Sequence, residues 1–264
     1  MQDPQFIRLS VFIGVLLACG LWEWRVPRKA LTQSKTVRWL NNLTLVAFNS
    51  VVLSLLLPTL AFGVALYALE YQFGVMHWLE VPAWLNVVLS VLLLDLAIYV
   101  QHRLFHRIPL LWRLHRMHHA DQDIDVTTGA RFHPLEIFLS MLIKMALVLS
   151  LGVSPIAVVV FEVLLNASAM FNHSNAKLRL DWDRKLRHFI VTPDMHRVHH
   201  SVIPRETHSN FGFFLSIWDR WFGTYIDQPA LGHDEVKIGL PIFNQAREQW
   251  LDKMLSQPFR RPKT

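Results

Sequence analysis

The chain has a single cysteine, Cys19, among 264 residues. An intrachain disulfide is therefore impossible, and a metal site built from several thiolates is excluded with it. Charge is scarce too: Asp, Glu, Lys and Arg supply 17% of the residues, where soluble domains carry about 25%. The ten glycines never form Gly-x-Gly-x-x-Gly, so no nucleotide-cradling turn is expected. Two metal signatures are missing as well. Glu-x-x-His, which carboxylate-bridged di-iron bundles repeat on two helices, does not occur. Nor does the His-Glu-x-x-His of zinc hydrolases.

Apolar residues are what the chain has in excess. They make up 52% of it, with a mean hydropathy of +0.28, which predicts membrane helices. The net charge of +6 suits cytoplasmic loops and anionic head groups. No nucleic-acid-binding motif accompanies it, so nucleic acid is not an expected partner.

Phe6–Trp24 reads as a first crossing. Met1–Trp24 lacks the basic start and small-residue cleavage site of a secretory signal, so it is taken as a retained anchor. Arg25, Arg28, Lys29, Lys35 and Arg38 follow, which places that loop in the cytoplasm. Leu43–Leu69 is a second crossing, bent at Pro58. Residues 70–82 contain no Lys or Arg and suit the opposite face, with Trp78 and Trp84 at the interface. Ala83–Val100 returns to the cytoplasmic side. Leu135–Leu151 and Ile156–Phe171, joined by Gly152-Val153-Ser154-Pro155, form a hairpin that spans or re-enters. Leu178–Ile190 mixes bases with large apolar residues, as an interfacial helix does. The expected fold is an all-α integral membrane bundle of about three spans plus this hairpin, under a cytosolic helical cap. It divides into anchor helices over 1–82, a catalytic domain over 83–228 and a basic tail over 229–264 that ends in Arg260, Arg261 and Lys263.

Fourteen histidines are the second excess. His102 and His106 stand four apart; His115, His118 and His119 follow, and His196, His199 and His200 repeat that pattern. Such spacings share one helix face, with about 5–6 Å between Cβ atoms. All eight fall on the side reached by the basic loops. Neutral imidazole is a ligand for iron, zinc, copper and nickel, and eight imidazoles exceed what one ion can use. A di-metal site held almost entirely by histidine is therefore expected. His173, at the cytoplasmic end of its helix, is a ninth ligand. His77, His188 and His233 read as surface or interfacial residues. Asp95, two turns below His102, would accept a ligand's free N–H. Glu136 and Asp194 are further candidates for that supporting role.

These motifs resemble the fatty acid hydroxylase and sterol desaturase superfamily of membrane di-iron enzymes. The likeness extends to Arg131-Phe132-His133-Pro134-Leu135-Glu136, Phe171-Asn172-His173-Ser174-Asn175, Thr192-Pro193, Asn210-Phe211-Gly212 and Trp218-Asp219-Arg220. The spacing resembles the alkylglycerol monooxygenase branch in particular. The resemblance implies two iron ions, for which zinc can substitute during purification, and O2 as co-substrate. The implied reaction is hydroxylation or desaturation of a lipid C–H bond, in a fatty acyl, alkylglycerol or sterol-like substrate. It departs from the pattern at Lys177, where some relatives carry a further histidine. That leaves His133, Asn210 through a water, or an exogenous water as the tenth ligand. His208 also replaces an acidic or small residue, a change the sequence does not explain. With no nucleotide motif, electrons must come from a separate donor: a reductase with ferredoxin or cytochrome, or a reduced pterin. A bacterial inner membrane is expected rather than endoplasmic reticulum. Competing readings are a zinc-dependent membrane hydrolase and a non-catalytic metal-binding protein, whose ligands would line a pore.

Overall fold

A computed structural model describes residues 3–57 and 59–261. Among them there are helices and three isolated bridges but no strand. Helix α1 (Pro4–Arg25) begins with Asp3 accepting from the Gln5 N–H. Its outer face, including Phe6, Leu9, Ile13, Leu17 and Leu21, is exposed. Such a face fits lipid rather than water.

Helix α2 (Lys35–Leu56) stops short of the expected Leu43–Leu69 span, and α3 (Ala61–Glu70) resumes after a break. Leu57, which precedes a proline and is thereby biased away from helix, is extended at φ −125° and ψ 91°. The bend expected at Pro58 itself lies outside the described residues. A short α4 (Val75–Trp78) leads to α5 (Ala83–Arg107), which runs about two turns beyond the predicted Val100. His102 and His106 thus ride on a continuous rod. Helix α6 (Pro109–His119) follows almost at once.

The hairpin is α7 (Pro134–Leu151) and α8 (Pro155–His173), each opened by a proline at its first turn. Gly152, at φ 71°, closes α7. Asn86, near the start of α5, donates to the Gly152 carbonyl and accepts from the Ser154 N–H, both at 3.0 Å. The hairpin tip is therefore pinned at the end of α5 opposite its histidines. Small residues let the helices approach there: Ala61, Ala65 and Ala157 are fully buried beside Leu94, Val148 and Phe161. Five helical stretches are long and apolar enough to cross a membrane: α1, Lys35–Trp78, α5, α7 and α8.

Past α8 the elements are short. They include α9 (Leu180–Leu186), which covers only the middle of the expected interfacial helix, α10 (Pro193–His199), α11 (Pro204–Thr207) and α12 (Ile217–Trp221). The last part of the chain is packed. Gln257 and Arg260 carbonyls accept from Arg116 of α6 at 2.6 and 2.7 Å.

Two buried ion clusters tie these layers together. Glu162 of α8 pairs with Lys144 of α7 at 2.8 Å and with Arg8 of α1. Arg38 of α2 grips Asp121 through two hydrogen bonds of 2.9 and 2.8 Å and also pairs with Asp125. All three side chains of the second cluster are fully buried. Removing the cation strands two carboxylates away from water, so Arg38→Met is expected to lower the unfolding free energy by about 3–5 kcal/mol. Denaturant titration in detergent measures it.

Candidate metal centre

Each helix delivers its imidazoles by register. His102 and His106 project from the last turns of α5, His115, His118 and His119 from the end of α6, and His173 from the last residue of α8. His196, His199 and His200 come from α10, which Thr192 caps by accepting the Met195 N–H. All nine are buried. Their nitrogens sort into a group of five (His102, His106, His115, His119, His199) and a group of four (His118, His173, His196, His200). Within each group they lie within 4.8 Å of one another. Each His-x-x-His-His motif gives its first and last residue to one group and its middle residue to the other. Helix geometry permits this split: the residues at i+3 and i+4 both neighbour the first histidine but are rotated about 100° from each other, so they can face different groups.

The rings are oriented from behind. His102 Nδ1 donates to the Phe211 carbonyl at 2.8 Å, His118 Nδ1 to Arg131 at 3.1 Å, His173 Nδ1 to Ala169 at 2.6 Å and His199 Nδ1 to Ser209 at 2.6 Å. His115 Nδ1 lies 2.7 Å from the Glu136 carboxylate. Carbonyl and carboxylate oxygens only accept, so Nδ1 carries the proton in all five rings. In a neutral imidazole Nε2 is then a bare lone pair. Yet His102 and His115 face each other Nε2 to Nε2 at 3.1 Å, and His118 meets His173 the same way at 3.1 Å. Two lone pairs at that distance are not a hydrogen bond. Only a cation between or beside them relieves the repulsion.

Burial opposes protonation of the neighbouring rings. Burial first, and neighbouring imidazoles second, hold His118, His119, His196 and His200 well below the ordinary histidine range; burial does the same at His199. His106 Nε2, His199 Nε2 and both nitrogens of His119 and His200 are buried without a hydrogen-bond partner. The donor set fits two metal ions.

Other expected residues lie elsewhere. His133 caps α7 by accepting the Leu135 N–H, and its Nε2 is 3.2 Å from the Leu255 carbonyl; it is in neither group. Asn210 is saturated: it donates to Met195 and Ile226 carbonyls and accepts the Ile226 N–H. Its φ of 50° suits asparagine and turns the loop so that Ser209 and Phe211 present their carbonyls to ligands on either side. Glu136 lies against the His115 ring. Asp95 touches no imidazole. It accepts the Phe214 and Leu215 N–H groups and the Trp218 indole, and so holds the loop whose Phe211 carbonyl orients His102. Asp219 grips the same loop through the Phe211 and Gly212 N–H groups at 2.7 and 2.8 Å. A Cβ at Gly212 would come within 2.8 Å of that carboxylate. Asp194 pairs with Arg28 at 3.1 Å and with Arg197 at 3.7 Å, away from the ligands. His233, expected on the surface, is buried 3.8 Å from Asp194; His188 is exposed and His77 half-buried.

His208 gains a place that its sequence context did not suggest. Its Nδ1 is 3.2 Å from His106 Nδ1, and both rings border Trp112. On the membrane side a cavity of about 260 Å³ reaches His102 and His115 from between α1, α2, α5, α7 and α8.

The fatty acid hydroxylase model matches residues 87–224, just over half the chain. The chain is 28% identical over 263 residues to an ornithine lipid hydroxylase of Rhizobium tropici, covering 95% of this chain and 75% of that one. Against the alkylglycerol monooxygenase of Danio rerio, identity is 30% over 201 residues, 75% of this chain but 43% of the relative. Human cholesterol 25-hydroxylase is 26% identical over 164 residues, 56% of this chain and 58% of the relative. No solved structure matches. The matched segment carries all nine converging histidines and the loop that orients them, and the chain belongs to the fatty acid hydroxylase family.

Proposed function

We propose that this protein is an O2-dependent, di-iron membrane enzyme that hydroxylates a C–H bond of a lipid. The observation that carries the reading is the set of inward-facing imidazole lone pairs, arranged as five plus four. Nine nitrogen donors on two ions leave one or more positions open, as catalytic sites require. Bound iron would supply O2 activation and hydrogen-atom abstraction, the overall change being C–H plus O2, two electrons and two protons to C–OH plus water. The chain's part is to orient the rings, keep bulk water out and hold the reacting carbon. The cavity against His102 and His115 suits a lipid entering from the bilayer. The named relatives are hydroxylases and monooxygenases, which favours hydroxylation over desaturation.

Five crossings fit the hairpin best as a spanning pair. Its helices of 18 and 19 residues are long enough for a hydrocarbon core of about 30 Å, and Asn86 holds their tip at the far end of α5. The basic loop after α1 supports a cytoplasmic active site in a bacterial inner membrane. Electrons from a separate protein donor would enter beside Trp112. That ring is 4.9 Å from His106, 5.4 Å from His119 and 5.8 Å from exposed His208, with exposed Arg107, Arg113 and Arg205 nearby in the chain.

Protein purified without air is expected to hold two iron ions. Supplied with ¹⁸O2 and reductant, it should yield a lipid product carrying one ¹⁸O. Label arriving from water instead would indicate a zinc hydrolase. His118→Ala should lose metal from the group of four and abolish turnover, whereas exposed His188→Ala should change neither. Full metal content and turnover in His118→Ala would overturn the ligand assignment. Glu136→Leu, which frees the His115 ring, is expected to weaken metal binding by about 10–100-fold, read by chelator competition.

A further inference from the structure

An alkyl tail needs only apolar walls, and much of the cavity beside His102 and His115 provides them. Helix α2 offers Val46, Asn49, Ser50 and Leu53 to it, spaced i, i+3, i+4 and i+7 along one face. Asn49 is out of place on an apolar wall. So are Gln101 of α5, Asn166 of α8 and Glu136 of α7, all lining the same space. Hydrocarbon offers no water to satisfy such groups.

The three amides share a pattern. Asn49 Nδ2 donates to the Phe132 carbonyl at 2.9 Å, Gln101 Nε2 to the Ser140 hydroxyl at 2.7 Å and Asn166 Nδ2 to the Glu162 carbonyl at 2.9 Å. A backbone carbonyl can only accept, which fixes the orientation of both asparagines. Each amide thus commits one of its two N–H donors to the protein, and its oxygen stays out of that bond. Asn49 Oδ1 is buried with no hydrogen-bond partner, and so is Glu136 Oε2, whose other oxygen holds His115. Two buried acceptors on residues that line the cavity thus stand unpaired. Unpaired buried acceptors are destabilising, and a ligand that donates to them removes the penalty.

We infer that the cavity selects lipids bearing a hydrogen-bond donor, a hydroxyl or an amide N–H, close to the carbon that is oxidised. The inference rests on the hydroxylase reading and narrows its substrate class. Asn49 also lies near the metal centre through Phe132, whose ring stacks on His118 at 4.4 Å. The donor-bearing linkage or head group is therefore drawn toward the histidines. Oxidation falls near that linkage and not at the far end of a bare tail. Asn49 acts as a specificity-determining residue.

The test uses the full chain in nanodiscs, without iron, so that binding is read apart from turnover. Two pairs of probes are compared by equilibrium dialysis. One is 1-O-hexadecylglycerol against its di-O-methyl ether; the other is N-hexylhexadecanamide against its N-methyl derivative. The donor-bearing member of at least one pair should bind about tenfold more tightly to the wild type. Asn49→Leu should remove that preference while leaving the capped lipid's affinity unchanged. Asn166→Leu, at an exposed position, should reduce the preference and serves if Asn49→Leu does not fold. Equal binding within both pairs, or a preference that survives both substitutions, overturns the inference. The iron-loaded enzyme separates the two readings. Hydroxylation of capped and uncapped lipids alike would refute the donor requirement and leave the hydroxylase standing, whereas no ¹⁸O incorporation into any lipid would refute the hydroxylase.

Discussion

Repulsion between imidazole lone pairs is the constraint around which this protein is built. Five rings are locked with Nδ1–H pointing outward because an oxygen stands behind each of them. Their Nε2 atoms then have nowhere to turn except toward one another. A soluble protein of this composition could relieve the conflict by protonating a ring or letting in water. Here burial suppresses the first and the packed cap opposes the second. Metal binding at the two groups would relieve that repulsion, and metal affinity and folding would then be one equilibrium.

Maintaining that arrangement requires stiffness on both sides of the histidines. Below them, α5 and α8 are single rods that begin at the hairpin tip and end in ligands. Any tilt at Asn86 is therefore carried to His102 and His173. Above them, the loop 209–219 is held by two carboxylates that never meet a ligand: Asp95 takes its far half and Asp219 its near half. Arg38 performs the equivalent task for residues 121–128. Buried charge is costly in a membrane protein, and each of these groups is paired or accepts several hydrogen bonds, consistent with a structural use.

The histidine spacing made the centre legible because helical periodicity is local: i, i+3 and i+4 can be read without knowing the fold. His173 and Glu136 were within reach for the same reason, each sitting at a helix end beside a motif. The failures all involve distances in sequence that no period encodes. Asp95 lies on the correct face of α5 but one layer too deep, and its partners are some 120 residues away in the chain. Asp194 sits in the first turn of a histidine-bearing helix, yet Arg28 and Arg197 claim it. His133 was one of three alternatives for the tenth coordination place, and it caps α7. Four of the five groups that orient ligands are backbone carbonyls, which every residue possesses and no side-chain pattern announces. The break after Leu56 was signalled by the proline two residues on, but hydropathy smoothed over it.

The way the two motifs share their histidines has a consequence for how the ions depend on each other. If the three imidazoles of α6 all served one ion, each site could fill and empty alone. Instead His118 crosses to the group that α10 dominates, and His199 crosses back. Neither helix can move to release one ion without disturbing ligands of the other. The two groups are coupled through two short, rigid elements whose ring separations of 4.5–4.8 Å between α6 and α10 (His119–His200 and His118–His200) leave little slack. Rigid sharing of this kind favours loading as a pair, because the first ion orders the helices and the second meets rings already in place. On the proposed reading a two-electron oxidation would need both metals together, and the crossing of one histidine from each motif would serve that requirement.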